Sequence, residues 1–201
     1  MREPSKWTRI IQADPQHSHR FAQRWVRMAA VGTDVQGEGR LVDAMASRGA
    51  RILDAGCGTG RASASLIAAG HTVVGVDVDP VLIDYARRDH PTATWLVGDL
   101  AELDLPAQGI AEPFEVIFLA GNVMPFLAPS TRVDVLTRLR NHLAEGGRIV
   151  SGHSTGRDYP FDDFFADCEA AGLQIDQRFS TWDLRPYADD ADFLVAVLSR
   201  A

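Results

Sequence analysis

The sequence predicts an α/β domain of three layers, in which a mostly parallel sheet lies between two layers of helices. Short and nearly continuous apolar segments alternate along the chain with helical segments, as in sheets that are covered on both faces. The alternation ends in two successive strands with no helix between them, which indicates an antiparallel hairpin at the C-terminus. The 201 residues, 46% of them hydrophobic, are enough for one domain with a sizeable core.

The first 35 residues are predicted to be an N-terminal arm followed by a helix, and residues 36–201 the main domain. Residues 1–17 are polar and contain two prolines, so we expect a loosely ordered arm. The segment HRFAQRWVRMAAVG places Phe21, Trp25 and Met28 on one face of a helix that ends near Gly32. Both Trp25 and Trp182 are expected to belong to the core.

The main domain is expected to begin with a helix over residues 38–48 and then to alternate strands with helices. Strands are predicted in ARILDAG (50–56), HTVVGVDV (71–78), ATWLVGD (93–99), FEVIFLAG (114–121) and RIVSGH (148–153). Helices are predicted over residues 61–69, 79–89, 129–147 and 161–172. In the second of these, Asp79 is the expected N-cap and Pro80 the first helical residue. The segments LQIDQRFSTWDL (173–184) and DFLVAVLSR (192–200) form the predicted hairpin.

A glycine-rich segment, LDAGCGTG, follows the first predicted strand directly. Gly56, Gly58 and Gly60 stand at alternate positions. We interpret Gly56 as the residue of the tight turn, and Gly58 and Gly60 as positions where a side chain would keep a ligand from the main chain. Ligands of such sheets bind at the carboxyl ends of the strands, close to exposed N–H groups at a helix start. The segment therefore favours a ligand site over a simple turn.

An acid at the end of the second strand narrows the class of ligand. Asp77 lies 21 positions after Gly56, where a carboxylate can accept hydrogen bonds from both hydroxyls of a ribose. A nucleoside-containing ligand follows, and both NAD and S-adenosylmethionine qualify. The spacing G-C-G-T-G departs from the dinucleotide pattern G-x-G-x-x-G, which counts against NAD.

On these motifs, the chain resembles the class I S-adenosylmethionine-dependent methyltransferases over about residues 36–201. The segments ILDAGCGTG, VVGVDVDP, WLVGDL and FEVIFLAGNVMPFL resemble the family's successive motifs in order. The resemblance implies a Rossmann-like, seven-stranded sheet of order 3-2-1-4-5-7-6, with strand 7 antiparallel. It also implies S-adenosylmethionine as cofactor and an enzyme that transfers its methyl group by in-line displacement.

The resemblance implies a role for each matching residue. Asp77 would hold the ribose, Asp99 the adenine amino group, and the Leu100 main chain the edge of the adenine ring. Ala120, Gly121 and Asn122 would lie beside the methionine part. The cofactor-binding residues expected in this way are Asp54, Gly56, Cys57, Gly58, Gly60, Asp77, Val78, Asp99, Leu100, Ala120 and Asn122.

The acceptor is expected in the segments GNVMPFLAP and GHSTGRDYP, with the helix of residues 17–30 as a lid. His153 and Tyr159 are candidates for a base or an acceptor contact, although we slightly favour a capping role at the strand end for His153 and packing on the loop for Tyr159. Arg157 is a candidate for holding an acidic group, or a solvated loop arginine. His17 and His19 lack an acid or cysteine partner and are expected to be solvated, so no metal site is predicted.

Composition limits the remaining function classes. The net charge of −7 and the lack of a basic tract argue against a nucleic-acid partner, and GNVMPF is not the D/N-P-P-Y/F motif of amino-methylating nucleic-acid enzymes. Two distant cysteines, and no apolar segment of signal-peptide or membrane-spanning length, lead us to expect a cytoplasmic protein. We expect a small-molecule acceptor. The alternatives are a nicotinamide oxidoreductase and a non-catalytic cofactor-binding protein; monomer and homodimer both stay open.

Overall fold

A computed structural model describes residues 2–188 and 190–201, and its centre is one sheet of seven strands in the order β3-β2-β1-β4-β5-β7-β6. The strands are β1 (Arg51–Ala55), β2 (Thr72–Asp77), β3 (Thr94–Val97), β4 (Phe114–Leu119), β5 (Leu143–Ser154), β6 (Leu173–Phe179) and β7 (Phe193–Arg200). The helices are α1 (Lys6–Ala13), α2 (His17–Ala30), α3 (Gly37–Met45), α4 (Ala64–Ala68), α5 (Pro80–Asp89), α6 (Val123–Phe126), α7 (Arg132–Asn141) and α8 (Phe161–Ala170). Short 3₁₀ turns cover Leu100–Glu102, Pro106–Gln108 and Pro129–Thr131.

The predicted strand order is confirmed, and so is the antiparallel β7, which pairs with both β5 and β6. The first five strands run parallel. Their registers place Ala55 of β1 opposite Val76 of β2, and Asp77 of β2 opposite Val97 of β3. The loops that follow these strands therefore meet at one edge of the sheet.

Two apolar clusters fill the space on either side of the sheet. Successive residues of a strand point to opposite faces, so Leu53 of β1 and Ile117 of β4 pack with α7 and α8, whereas Ile52 and Val116 pack with α3, α4 and α5. All four side chains are fully buried. This two-sided burial is why the strands consist of nearly continuous apolar residues. Among residues 2–188 and 190–201, no helix has the length and apolar character needed to cross a membrane.

The N-terminal arm is the largest departure from expectation. The prediction of a loosely ordered arm is wrong for residues 6–13, which form α1. Ser5 caps this helix, because its side chain accepts a hydrogen bond from the Thr8 main chain. A contact distant in sequence holds it in place, since the Trp7 indole donates to Asp79 across a 2.9 Å distance.

The boundary between α7 and β5 also differs from the prediction. The helix ends at Asn141, and β5 begins at Leu143 rather than at Arg148. Leu143 pairs with Phe114, and Arg148 pairs with Val116, so the residues between them bulge from the strand. The two glycines expected to end the helix lie in this bulge, where Gly146 has a φ of +68°.

Candidate active site

The glycine-rich loop needs glycine at three positions because its main chain is left-handed there. The φ angles are +82° at Gly56, +54° at Gly58 and +73° at Gly60. A Cβ at Gly56 would lie 2.5 Å from Val123, and one at Gly60 would lie 2.6 Å from Trp95. The space at Gly60 is therefore filled by a protein side chain, and not left to a ligand as we expected. Only at Gly58 would a Cβ meet ordinary contacts, 3.7 Å from Phe21.

Asp77 joins this loop to the end of β2. One carboxylate oxygen accepts from the Gly58 N–H at 2.8 Å, and the other accepts from the Asp79 N–H at 2.9 Å. Burial raises the pKa of Asp77 to about 6, although the two main-chain donors act in the opposite direction. Each carboxylate oxygen has a second lone pair, so the carboxylate retains capacity to accept from two further hydroxyl groups.

Asp54 lies below the loop and has no direct access to solvent. It is 1% exposed and accepts a hydrogen bond from the Ser63 hydroxyl at 2.7 Å. Burial raises its pKa to about 7.

Arg61, which follows the last glycine of the loop, contacts two helices. It forms a double hydrogen bond with Glu38 of α3, at 2.7 and 3.0 Å, and its guanidinium stacks 4.1 Å from the centre of the Trp25 ring of α2. The loop is thereby tied to two helices.

The other residues predicted to bind the cofactor after β1, β2 and β3 differ in how far their side chains are buried. Cys57 is buried with its sulfur facing the core, so only its main chain borders the loop. Val78 is partly exposed in the turn after Asp77. Asp99 caps the 3₁₀ turn after β3 by accepting from the Ala101 N–H at 2.9 Å, and Leu100 is 5% exposed within the core. Together with Asp54, Asp77 and the glycine-rich loop, these residues form what we call the cofactor half.

Residues 121–129, which follow β4, and residues 152–160, which comprise the end of β5 and the loop after it, form what we call the acceptor half. Asn122 joins them, because its side-chain oxygen accepts from the Ser154 N–H at 2.7 Å and from the Ser154 hydroxyl at 3.0 Å. Its own φ of +68° turns the chain into α6. Ala120, two positions before Asn122, is partly buried against the core.

His153 and Tyr159 do not line an open surface. They are 0% and 1% exposed, and their rings stack with centres 5.5 Å apart. The guanidinium of Arg132 lies 3.7 Å from the centre of the Tyr159 ring, and the Tyr159 hydroxyl donates to Asp167 at 2.6 Å. Burial lowers the pKa of His153 to about 4 and raises that of Tyr159. In this arrangement the pair supports the loop from below and has no surface with which to touch an acceptor.

The remaining sequence candidates lie around this edge. Arg157 is exposed, and its Nε donates to the Ser154 hydroxyl at 3.1 Å. His19 shares a hydrogen bond of 3.2 Å with the Tyr85 hydroxyl, whereas His17 packs against the Trp7 ring. The expectation of core positions for the two tryptophans is only partly met: Trp182 is partly buried against Gly152 of β5 at the border of the core, whereas Trp25 of α2 belongs to neither apolar cluster because α2 lies outside the two helical layers.

Asp79 and Trp7 are the residues that sequence reasoning missed. Asp79 was expected only as the N-cap of α5, a role it has, but it also accepts from the Trp7 indole and, at 2.5 Å, from the Ser18 hydroxyl. A signal for α1 was present, because Ser5 precedes apolar residues at the helical spacing of Trp7, Ile10 and Ile11. No local pattern connects that helix with Asp79.

Comparison with known proteins decides the family. A model of the methyltransferase domain matches residues 52–147. The chain is 47% identical to a TehB-like SAM-dependent methyltransferase from Corynebacterium glutamicum, whose crystal structure matches with a TM-score of 0.88, over 94% of this chain and 100% of that one. The chain belongs to the class I S-adenosylmethionine-dependent methyltransferases. Its cofactor is therefore S-adenosylmethionine, and nothing supports the alternative of a nicotinamide oxidoreductase.

Two further relatives are methyltransferases with named acceptors. The enzyme is 31% identical over 163 residues to a magnesium-protoporphyrin O-methyltransferase of Rhodobacter capsulatus, a match that covers 70% of each chain. It is 30% identical over 135 residues to a demethylmenaquinone methyltransferase of Beutenbergia cavernae, covering 66% of this chain and 53% of the relative.

The hydrogen-bond acceptors that the methyltransferase offers at Asp77 fit S-adenosylmethionine. A ribose presents two hydroxyl donors, and the Asp77 carboxylate has acceptor capacity left after its bonds to Gly58 and Asp79. The two hydrogen bonds also fix the plane of the carboxylate, so it need not reorganise when a ribose binds.

Proposed function

We propose that this methyltransferase acts on a small-molecule acceptor, which binds between the acceptor half and the N-terminal segment, residues 2–35. The observation that carries the proposal is the path of that segment, which is hydrogen-bonded to residues within or directly beside both halves of the site. Toward the acceptor half, Ser130 donates to Glu3 at 3.0 Å, and Lys6 donates to the Arg157 carbonyl at 3.1 Å. Toward the cofactor half, the Trp7 indole donates to Asp79 at 2.9 Å.

These contacts support a site that is covered from above. Lys6 also pairs with Asp158 at 3.2 Å, and Arg2 donates to the Ala101 carbonyl after β3. A covered site of this kind suits a compact ligand, whereas a long polymer would need an open groove. The names of the relatives from Rhodobacter capsulatus and Beutenbergia cavernae, with magnesium-protoporphyrin and demethylmenaquinone as acceptors, support the same class.

We assign the cofactor half to binding S-adenosylmethionine. Asp77 holds the ribose, and Asp99 and the Leu100 main chain hold the adenine. The loop around Gly56 and Gly58 meets the methionine part, with Ala120 and Asn122 beside it. Asp54 supports the loop from below through Ser63. The family motifs in these segments support each role, and the main-chain donors on Asp77 supply its orientation.

Methyl transfer places modest chemical demands on the chain. When bound, S-adenosylmethionine supplies a methyl group on an electrophilic sulfonium. The chain aligns an acceptor atom opposite that methyl group and excludes water, and such positioning supplies on the order of 7–11 kcal/mol of barrier reduction. Asn122 holds the two acceptor loops in register, and the N-terminal segment covers them.

Side chains near the acceptor have separate roles in this proposal. Arg157 is the candidate for an acidic group on the acceptor, because it is exposed and its guanidinium is anchored by the Ser154 hydroxyl beside Asn122. His153 and Tyr159 are assigned to support of the loop, because burial keeps both from solvent. A proton on the acceptor would then leave to water or to a group on the acceptor itself.

The test is a transfer assay with S-adenosylmethionine labelled in its methyl group. The purified enzyme is incubated with cell extract separated into small molecules, protein and RNA. Label is expected in the small-molecule fraction, and not with an Asp77→Ala enzyme in the same extract. Label that enters only the protein or RNA fraction would refute the assignment of the acceptor class.

A further inference from the structure

The two carboxylate oxygens of Asp79 have different partners. Oδ1 caps α5 by accepting from the main-chain N–H groups of Val81 and Leu82, at 2.9 and 3.4 Å. Oδ2 accepts from the Trp7 indole of α1 at 2.9 Å and from the Ser18 hydroxyl of α2 at 2.5 Å. An N-cap requires one oxygen only. The second oxygen thus serves the two N-terminal helices.

This contact is buried, which makes it sensitive to any change of partner. Asp79 is 1% exposed and Ser18 is 2% exposed. A buried carboxylate that loses its donors is costly, because water does not replace them. The hydrogen bonds of Trp7 and Ser18 with Asp79 therefore favour one position of α1 and α2 over the edge of the sheet.

The same turn carries the acid that we assign to the ribose. The Asp79 main-chain N–H donates to one oxygen of Asp77, while Gly58 donates to the other. Asp79 is therefore bonded through its side chain to the N-terminal segment and through its main chain to the cofactor half.

Trp7 extends the connection to the acceptor half. Its ring packs edge-on against Phe21 at 5.1 Å and against Phe126 at 5.8 Å. Phe21 lies over Gly58 of the glycine-rich loop, and Phe126 ends α6 in the acceptor half. One indole ring thus contacts the elements that border both halves.

We propose that Asp79 is a positioning residue, whose Oδ2 latches the N-terminal segment over the cofactor half through Trp7 and Ser18. The latch sets how long S-adenosylmethionine and S-adenosylhomocysteine remain bound, since either leaves only after the two hydrogen bonds open. The proposal rests on the covering role of the segment in the proposed function. It makes no assumption about the acceptor.

The test compares the dissociation rate of S-adenosylhomocysteine in variants of the full chain by stopped-flow competition. Asp79→Asn keeps a carbonyl oxygen for the cap of α5 but places an NH₂ group opposite two donors. Dissociation is expected to accelerate roughly tenfold to a hundredfold, with a much smaller change in association. Asp104→Asn, at an exposed acid that accepts from the Ala107 N–H in a 3₁₀ turn after β3, is the matched control and should change neither rate.

Variants on the other side of the latch keep the proposal testable if Asp79→Asn fails to fold. Trp7→Phe and Ser18→Ala each remove one donor and leave the cap intact. Each should accelerate dissociation, and Trp7→Phe combined with Asp79→Asn should do so less than the product of the single effects. Without ligand, amide hydrogen exchange in residues 6–13 should also become faster in each variant.

An unchanged dissociation rate in folded Trp7→Phe and Ser18→Ala proteins would overturn the latch. So would an acceleration that merely follows the loss of melting temperature in unrelated destabilised variants. Neither measurement uses an acceptor, so a failed acceptor assignment leaves both interpretable.

Discussion

The cofactor half consists mainly of main-chain groups and of carboxylates, of which Asp54 is buried and Asp77 and Asp99 are partly exposed, whereas the acceptor half is held together by side chains from distant elements. In the cofactor half, Asp77 accepts from the N–H groups of Gly58 and Asp79. In the acceptor half, the Asn122 side chain joins two loops 32 residues apart, and His153 stacks on Tyr159 below them. In our proposal, the first arrangement binds the cofactor, largely through main-chain N–H groups and the carboxylate that they orient. The second depends on side chains that can change with sequence, which suits the half that we propose binds the acceptor.

The largest expected effect tests whether the main chain dominates the cofactor half. Gly58→Val should abolish S-adenosylhomocysteine binding in calorimetry, because a φ of +54° is strained for a branched side chain and the new methyl groups would reach toward Phe21. Gly146→Val is the control, since Gly146 has a φ of +68° with open space around it and lies in the bulge at the start of β5, at the opposite end from the acceptor loops. Normal binding by a folded Gly58→Val protein would mean that the loop is only a turn.

Removal of the Asp77 carboxylate should have the next largest effect. Asp77→Ala deletes the acceptor assigned to both ribose hydroxyls, and hydrogen bonds to charged groups contribute roughly 1.5–3 kcal/mol. Affinity for S-adenosylhomocysteine should fall by about one to two orders of magnitude. Asp84→Ala, which removes an exposed acid from α5, should leave the affinity unchanged. Equal affinities for all three proteins would place the ribose elsewhere.

The pH dependence of S-adenosylhomocysteine binding tests the role of the Asp77 carboxylate in the cofactor half. Because burial raises the pKa of Asp77 to about 6, this carboxyl takes up a proton as the pH falls through that value. The protonated group is a poorer acceptor for two hydroxyls, so the affinity should be constant well above pH 6 and fall by up to about tenfold per pH unit below it. A titration between pH 5 and pH 8 measures this, and the decrease centred near pH 6 should be absent in Asp77→Ala, whereas a change centred near pH 7 would belong to Asp54.

The smallest expected effect concerns the acceptor half. Tyr159→Phe removes a hydroxyl that donates to Asp167 at 2.6 Å, and should lower the free energy of unfolding by about 1–2 kcal/mol. S-adenosylhomocysteine binding should not change, and turnover of an identified acceptor should fall by less than tenfold. Tyr187→Phe, at the far edge of the sheet, is the control for stability. A loss of turnover by several orders of magnitude with intact stability would make Tyr159 a catalytic residue.

Local sequence patterns predicted much of the fold and the outline of the cofactor half. Apolar strands alternating with helices indicated the three layers, and the motif order implied the strand sequence that the structure has. The prediction that Asp79 caps α5 and that Pro80 is its first residue is confirmed, because capping depends on residues that are neighbours in the chain. The predicted end of α7 near Gly147 is wrong, because strand pairing between Leu143 and Phe114 prevails over local helix propensity.

The sequence by itself determined where a ligand loop and its acid lie, because a turn and the strand before it are made by adjacent residues. Only the tertiary structure decided what covers them. Trp7 reaches Asp79 across 72 positions, and Arg61 reaches Glu38 across 23. It also decided that His153 and Tyr159 face the core, since their exposure depends on where α8 and Arg132 pack. Such contacts depend on how distant elements pack together, and no spacing along the chain encodes them.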